Sequence, residues 1–178
     1  MNRVITYIFL ILQFLSFTFA SDNDVGMALR KSFPIQIYMG ICVVGRADPK
    51  AVESQALKMG FREADNETSQ KYLRGNDGVA WHLINEQGEF GVTVLSNTLC
   101  SVFIHQGDPA TLQKSMEAWQ PPENSGFIYK KEIVSQSGYL TTTSYKIFRG
   151  SQLMEQWVIT INSQPGAGLV AIMSYEGP

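Results

Sequence analysis

Few side chains in this sequence are suited to chemistry. There are two histidines, His82 and His105, and two cysteines, Cys42 and Cys100. A zinc site needs three or four ligands at workable spacing. Two isolated histidines and two cysteines far apart in sequence do not supply that set, so no metal site and no other cofactor is expected. A Ser-His-Asp arrangement is spatial and not sequential. His82 and His105 therefore mark where a hydrolase site without a sequence motif would lie. The nucleophile elbow G-x-S-x-G is absent, and the Ser-Gly pairs at 125–126 and 137–138 read as turns.

Glycoside cleavage would need two acids facing one cleft. Glu86 and Glu89 instead flank a turn, Asp108 stands where a helix cap would, and Glu132 and Glu155 alternate outward on strands. Gly166-Ala167-Gly168 lacks the helix and lysine of a phosphate loop. No residue is assigned a catalytic role.

The first residues carry a different message. Arg3 is the only charge before Asp22, and Val4 to Phe17 is apolar apart from Thr6, Gln13 and Ser16. A basic start, a short apolar run and a small final residue make an export signal. The expected cut follows Ala20, with Thr18 at the other small position. An uncleaved anchor would want about 20 apolar residues, and this run is shorter and interrupted. The mature chain is expected in the periplasm or outside the cell, free of the membrane. Losing Arg3 leaves 13 basic against 16 acidic residues, a net charge of −3 with no basic cluster. Nucleic acid, which demands a concentrated positive face, is not an expected partner. An even cysteine count in an exported chain argues for pairing, so Cys42 and Cys100 are expected to form a disulfide.

The elements that must position these residues follow from spacing. Residues 21–31 are polar and aperiodic and read as a flexible lead, followed by a single domain over 32–178. Ser32 and Pro34 suit a helix start, and Phe33, Ile37, Ile41 and Val44 lie on one helical face, with Gly45 as its end. A strand over 35–44 is the competing reading. Asp48-Pro49 and Asp108-Pro109 start two more helices, with Val52, Ala56 and Met59 as a buried stripe in one and Leu112, Met116 and Trp119 at spacings of four and three in the other. Residues 62–77 are polar and turn-rich and read as mostly unstructured.

From Val79 the period becomes two, with strands at 79–84, 90–94 and 99–105, then Phe127–Ser135, Tyr139–Phe148, Leu153–Ile161 and Leu169–Tyr175. The short turns between them imply antiparallel neighbours. The last strand, apolar on both faces from Leu169 to Met173, belongs in the centre of the sheet. The fold class is α+β: an antiparallel sheet of about seven strands with two or three helices on one face. Cys, Asp-Pro, helix and strands recur in that order in both halves, though with Cys-to-Asp spacings of six and eight. Duplication and coincidence both account for it.

An apolar helix with one cysteine, the Asp48-Pro49 link, a helix ending Met59-Gly60-Phe61, a strand-borne Cys100 and terminal hairpins resemble small exported proteins of Gram-negative bacteria. The resemblance implies a periplasmic location and no particular activity.

One surface is expected to bind. Tyr139, Thr141, Thr143 and Tyr145 share a strand face, and Trp157 lies on the neighbouring strand. Rigid aromatics dominate binding energy, so Tyr139, Tyr145 and Trp157 are the candidate anchors for another exported protein. A solvated face of good strand formers is the alternative. The sequence thus points to a non-enzymatic binding, inhibitor or accessory protein, with a small hydrolase near His82 or His105 as the competing class.

Overall fold

The computed structural model describes residues 22–176; the expected export signal and its expected cut after Ala20 lie outside them. The chain runs through α1 (Asp22–Arg30), α2 (Phe33–Ile37) with a π-helical continuation over Tyr38–Val43, α3 (Pro49–Lys58), β1 (Arg62–Glu63) and α4 (Asn66–Leu73). Three strands follow, β2 (Gly78–Asn85), β3 (Gly88–Leu95) and β4 (Leu99–Ile104), then α5 (Pro109–Glu117). Four more complete the chain: β5 (Phe127–Ser137), β6 (Leu140–Arg149), β7 (Gln152–Asn162) and β8 (Ala171–Glu176).

All eight strands form one antiparallel sheet in the order β1-β2-β3-β4-β8-β7-β6-β5. Two four-stranded meanders therefore meet at β4 and β8, each introduced by an Asp-Pro helix. The last strand is central, as its two apolar faces require.

The core lies between one sheet face and α2, α3 and α5. Period-two alternation sends Phe90, Val92 and Val94, Cys100, Val102 and Ile104, Ile159 and Ile161, and Met173 and Tyr175 to that face. Ile35, Ile37, Ile41, Val52, Ala56, Leu112 and Met116 meet them from the helices. The helix reading of 33–44 is the one the fold adopts. Cys42 and Cys100 are joined by a disulfide with Cα atoms 5.4 Å apart, pinning the π-helical segment to β4. Asp48 Oδ1 accepts from the Ala51 amide (2.9 Å) and Asp108 Oδ2 from that of Thr111 (2.7 Å), so both acids are helix caps.

Several expectations need correction. The described sheet has eight strands and the described helices number five, on both faces and not one. The extra strand, β1, and the extra helix, α4, both fall in the stretch 62–77. That stretch looked structureless because its helix has little apolar surface. It is held instead by an Asp65 cap on the Thr68 amide (2.8 Å), an exposed Glu67–Lys71 pair and the single buried ring of Tyr72. Residues 22–30 are helical, and the Arg30 guanidinium donates to the Ala118 carbonyl beyond α5. Ser32 occupies the N-cap position but makes no cap bond; its hydroxyl turns to Ser115 Oγ at 3.1 Å. Gly45 is small because Val52 packs on it, a Cβ there meeting Val52 Cγ2 at 3.1 Å. The chain reverses at the next two residues, Arg46 and Ala47, both left-handed (φ 51° and 55°).

Candidate functional site

The three aromatic anchors expected on one surface are separated by the fold. Tyr145 and Trp157 are direct cross-strand partners on the helix-covered face, and both are buried. Tyr145 donates to Glu117 Oε1 (2.9 Å) and stacks on Tyr129, with centroids 5.7 Å apart. Burial first, then the Glu117 carboxylate, pushes the Tyr145 hydroxyl's pKa far up. Trp157 donates to Glu155 Oε2 (3.0 Å) and meets Tyr38 edge-on. Tyr139 alone is exposed, at 57%, in the turn between β5 and β6. The register between β6 and β7, which sequence does not state, decides that Trp157 falls opposite Tyr145.

Tyr139 has company that the sequence pattern concealed. Ile133 and Val134 on β5 and Leu140 at the start of β6 are 60%, 59% and 47% exposed. The ladder slips between Ile133 and Ser135, leaving Val134 as the extra residue of a bulge. A bulge re-aims side chains, and here it exposes two consecutive apolar residues near the hairpin's end. β5 is also an outer strand of the sheet, eleven residues long. An edge strand offers unpaired backbone groups to another chain. Its own protection is modest: Lys130, Lys131 and Glu132 in mid-strand, and the bulge.

The two histidines, distant in sequence, come together on the other sheet face. The Tyr72 ring of α4 lies between them, 5.9 Å from His82 and 6.0 Å from His105 by centroids. His82 Nε2 meets Glu89 Oε1 at 3.1 Å, and since a carboxylate accepts, the ring nitrogen donates. His105 Nδ1 bonds the Gly168 carbonyl, which again requires a ring N–H there. In neutral His105 the remaining nitrogen, Nε2, then accepts from the Tyr72 hydroxyl at 3.2 Å. Burial, followed by the charge of Glu89, raises the Tyr72 pKa to about 12. His105 thus spends both nitrogens on tying α4 and the segment before β8 to the end of β4. Among the described residues no serine, threonine or cysteine side chain bonds either ring, and no group of three potential metal ligands forms.

A cavity of about 350 Å³ opens beside Trp157, at the end of the hairpins remote from Tyr139. Pro121, Pro122, Phe127, Ile147 and Met154 give it apolar walls, and Arg46 and Glu155 bring opposite charges to its lining. No family model, curated protein or solved structure matches this chain.

Proposed function

We propose that this is a non-enzymatic binding protein, working in the periplasm or outside the cell, which engages another exported protein through the outer hairpin β5–β6. The observation that carries the reading is the set of exposed apolar side chains Ile133, Val134, Tyr139 and Leu140 beside an open strand edge. Exposed apolar clusters of this kind accompany interaction surfaces, and a large aromatic such as Tyr139 suits a binding hot spot. The disulfide supports export, and no described helix is long and apolar enough to cross a membrane.

The test is a pull-down from periplasmic extract with tagged mature protein, run in parallel with an Ile133→Ser/Tyr139→Ser variant. A stoichiometric partner retained by the native protein and lost by an equally stable variant is the expected result. A partner held equally by both, or no partner at all, overturns the reading.

A hydrolase is the second reading, favoured by the convergence of His82, Glu89, Tyr72 and His105. Since His105 has both nitrogens occupied, a general base would have to be His82, whose Nδ1 makes no side-chain or backbone hydrogen bond among the described residues. Hydrolysis of ester or peptide substrates that disappears in His82→Asn would establish this class and displace the first.

A further inference from the structure

The Trp157 cavity combines features that the hairpin surface lacks. Arg46 and Glu155 both line it, yet neither belongs to an ion pair among the described residues. Two opposite charges at one small cavity ordinarily gain by meeting; held apart, they leave room for a ligand bearing both complements. Glu155 uses Oε2 for the Trp157 N–H and keeps Oε1 free of hydrogen bonds.

The backbone is also arranged for Arg46. Arg46 and Ala47 are consecutive non-glycine residues in the left-handed region, a conformation uncommon without glycine that clusters at binding sites. At about 350 Å³ the cavity is at the small end of ligand pockets, which suits a molecule of amino-acid size.

We infer that this cavity binds a free α-amino acid with an apolar or aromatic side chain, with Glu155 taking the ammonium, Arg46 the carboxylate, and the Trp157, Phe127, Ile147 and Met154 walls the side chain. The site stands apart from the hairpin surface and does not depend on it. An Arg guanidinium is the natural partner for a carboxylate, and a carboxylate in an apolar setting selects an ammonium over a neutral amide.

Isothermal titration of the mature, disulfide-bonded protein tests this with L-phenylalanine, N-acetyl-L-phenylalanine and L-phenylalaninamide. L-phenylalanine is expected to bind one to one. Blocking either charged end should weaken binding by about tenfold or more. Arg46→Gly suits the left-handed backbone and should keep the melting temperature while losing about tenfold in affinity for L-phenylalanine. Glu155→Gln keeps an acceptor for the Trp157 N–H and should lose a similar factor, yet leave the weak binding of the N-acetyl compound unchanged. The inference is overturned if L-phenylalanine gives no binding up to about 10 mM. It is equally overturned if the blocked compounds bind as well as the zwitterion.

Discussion

The Tyr145 hydroxyl donates to Glu117 Oε1 at 2.9 Å, and the same oxygen also receives Lys131 Nζ at 2.6 Å and Gln113 Nε2 at 3.1 Å. One carboxylate at the end of α5 thereby binds β5, β6 and its own helix. Burial alone would raise its pKa, but the bonds from Lys131, Gln113 and Tyr145 outweigh that and hold it below the ordinary value of 4.5. A carboxyl depressed in the folded state stabilises at pH above its unfolded value. That contribution is lost as pH falls through the folded value. Stability should therefore fall on acidification below the ordinary glutamate range, and Glu117→Gln should flatten that acid limb while costing stability at neutral pH. Urea midpoints measured across pH check this. An unchanged acid limb in the variant would contradict it.

The three aromatics should separate by mutation as they do by position. Tyr145→Ala and Trp157→Ala remove buried rings and should each cost about 3–5 kcal/mol. Tyr139→Ala should stay within about 0.5 kcal/mol, as exposed substitutions do. Denaturant unfolding of the three variants gives the answer directly.

That contrast shows how far sequence reasoning reaches here. Period-two alternation correctly puts Tyr145 on a strand face, though Tyr139 falls in the turn before β6, and alternation does not say which face is covered. The helices α2, α3 and α5, distant in sequence, decide that, and β6–β7 register decides where Trp157 falls. The Asp48 and Asp108 caps were legible because capping is local chemistry in consecutive residues. The α4 helix was not: its stabilising contacts are one cap, one exposed ion pair and Tyr72, whose partners Phe103 and His105 lie some thirty residues away. The cavity between Arg46 and Glu155 draws on four separated stretches of chain, and no pattern within any of them announces it.

The Cys42–Cys100 bond closes a sequence separation of 58 residues. In the chain-entropy account a loop of that length is worth about 4 kcal/mol. Reduction should lower the melting temperature markedly without any ligand. Thiol labelling of the denatured, unreduced protein should find no free thiol, and two reactive thiols per chain would refute the bridge.

The helix caps give a graded test. Asp48→Ala, Asp108→Ala and Asp65→Ala should each cost about 1 kcal/mol, while the Asn variants should be nearly neutral. For Asp65 the loss should appear first in α4, which has little else to hold it. Hydrogen exchange of the α4 amides resolves that local effect from global unfolding. Uniform exchange across the fold in Asp65→Ala would mean that α4 is coupled to the core more firmly than its contacts indicate.

The Tyr72 ring that anchors α4 lies directly over Gly91, on the sheet face opposite the main core. A Cβ at Gly91 would come within 2.4 Å of the ring, closer than any real contact, so the ring must move. Moving it endangers the bond to His105 and the packing on Phe103. Gly91→Ala should therefore cost about 1–3 kcal/mol, as over-packing does, even though alanine normally stabilises a strand interior relative to glycine. The cause can be isolated in a double-mutant cycle. With Tyr72→Ala already in place the obstruction is gone, and adding Gly91→Ala should be neutral or stabilising. Equilibrium unfolding of the four proteins in the cycle supplies the coupling. If Gly91→Ala is equally costly in both backgrounds, the glycine answers to strand geometry and the Tyr72 ring is not what keeps a side chain out.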